Sequence, residues 1–151
     1  MIQRIQTVYL FLVTLLALPG LFLPVGRFLK EGVLTAELYT LFVSSVNNGA
    51  TDYAPWALFV LLLLVALVSF ACIFFFKKRM LQVRLTIFNA LLLVGYYIAY
   101  GVFVYILGKE WGSFAIEWIA GLPAIALILD ILAMRAIMKD ELIVRSLDRL
   151  R

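Results

Sequence analysis

Four long apolar stretches, three of them free of any charged residue, occupy more than half of this 151-residue chain. They cover residues 5–26, 54–76, 85–108 and 118–137. Because an α-helix rises ~1.5 Å per residue, about 20 apolar residues match the roughly 30 Å hydrocarbon core of a bilayer. The pattern predicts an all-α membrane protein, a four-helix transmembrane bundle that forms one domain over residues 1–151 and is surrounded by the lipid bilayer.

The overall composition excludes an ordinary water-soluble domain. Hydrophobic residues make up 66% of the chain, charged residues make up 15%, and the mean hydropathy is +1.09, whereas a soluble domain is about half apolar and a quarter charged. The single cysteine, Cys72, allows no disulfide within the chain, and the lack of histidine removes the commonest general base and metal ligand. The sequence also has no phosphate-binding loop and no nucleophile beside a base. We therefore expect no enzyme, no metal and no cofactor.

The basic residues indicate which ends of the stretches face the cytoplasm. If the N-terminus is inside the cell, only Arg27, Lys30 and Lys109 lie outside. The inner side then holds ten basic residues: Arg4, Lys77, Lys78, Arg79, Arg84, Arg135, Lys139, Arg145, Arg149 and Arg151. An excess of this kind is typical of the cytoplasmic side of multi-pass membrane proteins. Both termini are therefore predicted to be cytoplasmic, and because these residues flank the membrane, nucleic acid binding is not expected.

The longest connection, on the outer side, allows two interpretations. Residues 33–46 are rich in β-branched and aromatic side chains and lie between the turn-like clusters at 30–32 and 47–49, which favours a small β-element. In this element, residues 25–29 or 113–116 would pair with part of residues 33–43. The competing interpretation is a short amphipathic helix on the membrane surface, because several apolar residues of the loop also fit a helical stripe.

The segment after the fourth stretch has the pattern of a cytoplasmic amphipathic helix. Residues 138–151 alternate apolar and charged positions, and Glu141 and Arg145 have the favourable i, i+4 order. Such a helix could rest on the inner leaflet, where basic residues meet anionic headgroups. It could instead dock a partner membrane protein.

One acidic residue lies within an apolar stretch and is the best candidate for chemistry. Asp130 lies about 10 Å into the membrane on an ideal helical rise, so it should face the interior and be paired or protonated. The same depth count places Asn89 and Tyr96 on either side of its level, and Tyr100 shares a helix face with Tyr96. From the cytoplasmic side, Arg84, Arg135 or Arg4 could reach it. The candidate polar cluster therefore comprises Asp130, Asn89, Tyr96, Tyr100, Arg84 and Arg135.

The cluster has three possible roles, which are a structural clamp, a proton or ion relay, and a substrate contact. Small residues mark packing faces nearby, with Ala66, Ser69 and Cys72 in one row and Ala120 and Ala124 in another. Such rows let helix backbones approach closely in lipid. They would serve packing within one chain or a homo-oligomer equally well.

Three motifs carry a resemblance to a known family. They are the opening MIQRIQTVYL, the KKRMLQVR hairpin at residues 77–84 and the ending RSLDRLR. Together they make the chain similar to a bacterial family of small four-span inner-membrane proteins that is catalogued as a domain of unknown function. The resemblance implies the four-span topology and the inner membrane, and it brings no catalytic or binding residues with it.

These observations favour a structural or interaction protein, an accessory subunit or scaffold of the inner membrane. The chain has conspicuous packing features and a charged cytoplasmic segment, but a single deep acid. The alternative is a small oligomeric transporter or channel that works through Asp130. In the first case, a partner membrane protein would bind the C-terminal helix. In the second case, the chain would assemble with other copies of itself.

Overall fold

A computed structural model describes residues 2–151, and the side chains from Arg4 onward. Within this range the chain forms four long helices and a five-stranded sheet. The helices are α1 (Ile2–Phe22), α2 (Trp56–Phe74), α3 (Arg79–Trp111) and α4 (Leu122–Arg149). Each contains a segment that is long and apolar enough to cross a membrane. The mainly helical fold is confirmed, together with the small β-element; Met1 of the opening motif lies outside the described residues.

The helices differ from the apolar stretches at their ends. Helix α1 ends at Phe22, four residues before the end of its stretch, because Pro24 has no amide hydrogen and disfavours helical geometry at Leu23. Val25 then donates its amide hydrogen to the carbonyl of Leu38 at 2.7 Å and enters the sheet. Helix α3 starts at Arg79 and includes polar residues that hydropathy alone assigns to a loop. The α2–α3 connection is therefore only four residues long, 75–78.

The sheet confirms the β interpretation of the outer loop, and the interpretation as an amphipathic helix is wrong. Its strands are β1 (Gly26–Lys30), β2 (Val33–Leu38), β3 (Val43–Ser45), β4 (Thr51–Asp52) and β5 (Ser113–Ile116), in the order β4-β3-β2-β1-β5 and all antiparallel. Central strand β1 pairs with β2 on one edge and with β5 on the other. The predicted pairing of residues 25–29 with part of 33–43 is therefore confirmed. The alternative pairing of residues 113–116 with 33–43 is wrong, because β3 occupies the other edge of β2 and β5 pairs with β1.

Turn chemistry explains why the loop forms strands. Glu31 and Gly32, the two residues between β1 and β2, have φ angles of 54° and 80°. Two successive positive φ angles match the twist of a tight hairpin, and glycine adopts this conformation without strain. Gly49, with φ of 63°, lies in the turn that joins β3 to β4. These two turns fix the register of β1 against β2 and of β3 against β4.

The helices and the sheet share one interior. Helices α1 and α3 each pack against both α2 and α4. Side chains on the inner face of the sheet, Phe28, Ala36, Leu38 and Val43, are fully buried in the same cluster as residues of the helices. The sheet thus covers the ends of the helices where α1 finishes and α2 begins.

The surface of the helices is apolar where a soluble protein would be polar. Leu67, Leu91, Ile98 and Ile128 are each more than half exposed, and many other large apolar side chains on the helices are also exposed. Contiguous apolar surface of this extent is unusual in soluble monomers. The surface is compatible with lipid contact along the helices.

Candidate functional site: a buried polar contact among three helices

Three polar side chains from three different helices meet in the interior. Ser69 on α2 is 0% exposed, and Asn89 on α3 and Asp130 on α4 are each 1% exposed. Asp130 faces inward because it lies on the same helix face as Ala126 and Ala133, which are both fully buried. Small alanines on either side of the carboxyl group leave room for α3 to approach.

Asn89 joins the other two side chains. Its Nδ2 group donates hydrogen bonds to Ser69 Oγ at 2.9 Å and to Asp130 Oδ1 at 3.3 Å. The hydroxyl of Ser69 donates its own hydrogen to the carbonyl of Val65 at 2.8 Å, so a lone pair of Oγ is available to accept from Asn89. Both amide hydrogens of Asn89 are therefore used, and α2, α3 and α4 are held together by one side chain.

Two oxygen atoms of this contact remain without a protein partner. Among the residues that the structure describes, no donor reaches Asn89 Oδ1 or Asp130 Oδ2. Buried polar atoms normally have a partner, because an unbonded one costs about 1–3 kcal/mol. The two oxygens are hydrogen-bond acceptors that the described part of the chain leaves unused.

The structure places the predicted arginines away from this contact. Arg84 and Arg135 are both exposed, and within the described chain the ion pairs are Arg27–Glu117, Arg79–Asp140 and Arg145–Glu141. Arg84 lies five residues before Asn89, and Arg135 lies five residues after Asp130. Five residues correspond to about 140° around a helix. The two arginines therefore lie close to the level of Asn89 and Asp130 along their helices, but their side chains point away from the interior.

The tyrosines form a separate group closer to the sheet. Tyr96 and Tyr100 are buried, and their rings stack with centroids 6.1 Å apart. The hydroxyl of Tyr100 donates to the carbonyl of Val25 at 2.8 Å, and that of Tyr97 donates to Ala120 at 2.7 Å. In the described part of the chain, the Tyr96 hydroxyl has no hydrogen-bond partner. These residues attach α3 to the segment after α1 and to the segment before α4, and they do not hydrogen-bond to Asp130.

A further layer of polar contacts lies between the three-helix contact and the termini. Gln6 Nε2 donates to the carbonyl of Ala136 at 3.2 Å and joins α1 to α4. Gln82 Nε2 donates to the carbonyl of Cys72 at 3.1 Å and joins α3 to α2. Sequence reasoning missed both glutamines, and it treated Ser69 as a small packing residue. The feature that could have identified these three residues is that each is a polar residue on an otherwise apolar helix face. That face can be recognised only when the neighbouring helix is known.

The fold and its interior contacts define a class of protein. It has four helices of membrane-spanning length and composition, a small antiparallel sheet over one end and polar side chains that join the helices inside, which is compatible with a multi-pass membrane protein. The chain belongs to the family described as Domain of unknown function (DUF4293), whose model matches residues 2–150. The family resemblance is thereby confirmed, while bacterial origin and the inner membrane stay predictions. No curated protein matches the chain significantly.

Proposed function

We propose that this chain is a multi-pass protein of the bacterial inner membrane that acts as a structural or interaction subunit. The observation that carries the proposal is the use of Asn89, whose two amide hydrogens both serve contacts between helices. A side chain committed in this way holds α2, α3 and α4 in fixed positions. Interhelical hydrogen bonds and close small-residue contacts are the forces that assemble helices in lipid.

The position of the basic residues supports a cytoplasmic location of both termini. The bonds from Gln6 to α4 and from Gln82 to α2 bring the start of α1, the α2–α3 turn and the C-terminal half of α4 to one end of the molecule. That end carries ten of the thirteen basic residues of the chain. The positive-inside rule therefore favours this end as the cytoplasmic one.

Topology can be measured with single introduced cysteines. We expect Asn48→Cys, in the β3–β4 turn, to react with a membrane-impermeant maleimide added to intact cells. Ser146→Cys, near the end of α4, should react only in inverted vesicles. The native Cys72 is 1% exposed and supplies the unreactive background. Labelling of the Ser146→Cys variant from outside the cell would contradict the proposed orientation.

The end of α4 offers a surface for a partner. Leu142, Leu147 and Leu150 are 67%, 59% and 85% exposed, and they alternate with charged residues such as Asp148 and Arg149. Helix α4 continues without a break from the apolar segment to Arg149. A partner bound to this surface would be held rigidly relative to the membrane-spanning part.

Asp130→Asn separates the proposed role from transport. The substitution keeps the size of the side chain and an oxygen that can accept from Asn89, so we expect the free energy of unfolding to change by less than about 1 kcal/mol. A photocrosslinker at position 147 in native membranes should trap the same heteromeric partner with the variant as with the wild-type chain. A crosslinker at position 33 in the outer hairpin serves as the control. The proposal fails if two results occur together. One is that no recurrent partner is crosslinked, and the other is that the wild-type chain conducts a solute in liposomes and the Asp130→Asn variant does not.

The second candidate function is a small oligomeric transporter or channel. The observation that favours it is the pair of free buried oxygens, Asn89 Oδ1 and Asp130 Oδ2. Intramembrane acids with spare hydrogen-bonding capacity are typical of proton and ion pathways. Flux through liposomes that contain the wild-type chain, and its loss in the Asp130→Asn variant, would favour this candidate.

A further inference from the structure

The α2–α3 turn forms one wall of a charged cavity at the predicted cytoplasmic end. The cavity has a volume of about 750 Å³, and its lining includes Lys77, Lys78 and Arg79 together with Phe76 and Val144. The two lysines are consecutive and exposed. The cavity therefore combines concentrated positive charge with apolar walls.

The acidic residues near the cavity are already paired. Asp140 accepts an ion pair from Arg79 at 3.4 Å, and Glu141, which also lines the cavity, is bonded to Arg145 at 3.0 Å. Among the residues that the structure describes, Lys77 and Lys78 form no ion pair. The cavity thus has two uncompensated positive charges, and it is complementary to an anion.

An apolar groove adjoins the charged cavity. It has a volume of about 200 Å³ and lies between α3 and α4. Its lining consists of Met80, Val83, Met138 and Leu142 together with the paired Glu141 and Arg145. Met80 and Glu141 line both spaces, so the groove opens from the side of the cavity. A ligand that fills both spaces needs an anionic head and an apolar tail.

The location favours a lipid over a soluble partner. Phe74, Phe75 and Phe76, directly before the lysines, are 64%, 39% and 50% exposed and continue the apolar surface of α2. The change from phenylalanines to lysines within four residues matches the boundary between acyl chains and headgroups, where basic side chains meet lipid phosphates.

We propose that the cavity at Lys77 and Lys78, together with the Met80–Leu142 groove, binds an anionic phospholipid, with the phosphate at the lysines and part of an acyl chain between α3 and α4. This inference rests on the proposed insertion in the membrane with this end at the inner face. The bound lipid would fill the gap between the α2–α3 turn and α4, and it would thereby fix the C-terminal helix relative to the membrane-spanning part.

The test uses the full chain in a neutral detergent, with bound lipid counted by native mass spectrometry. We expect phosphatidylglycerol to bind more tightly than phosphatidylcholine with the same acyl chains. The double variant Lys77→Gln/Lys78→Gln should bind phosphatidylglycerol about 30-fold more weakly, the combined effect of two lysines at an anionic surface. The matched control is Lys30→Gln/Lys109→Gln, which removes the same charge at the opposite end and should leave the affinity unchanged.

Several results would overturn the lipid assignment. The first is equal binding of the two lipids, and the second is unchanged affinity in the Lys77→Gln/Lys78→Gln variant. The third is displacement of phosphatidylglycerol by inorganic phosphate, which would indicate a site for the free anion. A photocrosslinker at position 81, in the cavity wall, should form lipid adducts in native membranes. Adducts with a protein in their place would show that the cavity holds a polypeptide.

Carbonate extraction distinguishes failure of the lipid site from failure of the proposed function. If the wild-type chain stays in the membrane but shows no preference for phosphatidylglycerol, only the lipid site is wrong. If carbonate releases the wild-type chain, the proposed membrane insertion is wrong as well. Circular dichroism of each variant establishes that its helices are retained.

Discussion

Replacing Asn89 by leucine is expected to lower the free energy of unfolding by about 1–3 kcal/mol. The substitution removes the donor that Asp130 Oδ1 and Ser69 Oγ share, and it leaves the carboxyl group in the interior without a hydrogen bond from the protein. The cost arises mainly from the orphaned acid, since a buried group that loses its partner keeps its desolvation penalty. Unfolding of the detergent-solubilised protein by a denaturing detergent, followed by circular dichroism, measures the change.

The double variant Asn89→Leu/Asp130→Leu is the matched control for this prediction. It removes the buried carboxyl group together with its partner, and replacement of both polar groups by apolar ones of similar size is often neutral or stabilising. We therefore expect the double variant to be more stable than the Asn89→Leu variant. A double variant that is less stable, or an Asn89→Leu variant as stable as the wild type, would mean that the contact is not a clamp.

Replacing Gly112 by alanine is expected to destabilise the protein by about 2–4 kcal/mol. Gly112 ends α3 with φ of 109°, and a Cβ atom built there would lie 2.5 Å from the backbone oxygen of Leu29. The backbone angle is strained for any L side chain, and the carbonyl cannot move away because Leu29 is paired with Ser113 in the sheet. The same unfolding assay applies, and amide exchange in β1 should increase.

Gly101→Ala provides the control in the same helix. A Cβ atom at Gly101 would meet nothing within 4 Å, and alanine is favoured over glycine inside a helix by up to about 1 kcal/mol. This variant should be as stable as the wild type or slightly more stable. Equal destabilisation by the two substitutions would show that α3 is sensitive to any added methyl group, and that the close approach at Gly112 has no special role.

The sequence allowed the helices and the sheet to be predicted for different physical reasons. Hydropathy identifies the helices because each contains an apolar segment of the length and composition typical of a membrane span. The sheet was only one of two interpretations that the loop sequence allowed. In the structure the turns at Glu31-Gly32 and Asn48-Gly49 outweigh the helical stripe of the leucines between them. The start of α3 at Arg79 was missed since polar residues at a helix end give no hydropathy signal.

The sequence predicted the level of the candidate site residues along their helices, but it did not predict which way their side chains point. Counting residues from the predicted ends of the apolar stretches placed Asn89 near the level of Asp130, and the structure brings the two into contact. The same count placed Arg84 and Arg135 within reach, but rotation around each helix directs them outward. Ser69 was recognised only as a small residue, because its role as an acceptor depends on which face of α3 lies opposite. Depth follows from one helix alone, whereas direction requires its neighbour.

The central position of β1 bears on how the protein is made. One edge of β1 pairs with β2 from the same outer loop, but the other edge pairs with β5, which follows it by more than 80 residues and comes after α3. During synthesis the first four strands can assemble as soon as residues 26–52 have been made, while the second edge of β1 stays open. Only residues 113–116, which are made after α3, close it. The sheet is therefore complete only after three of the four long helices have been synthesised.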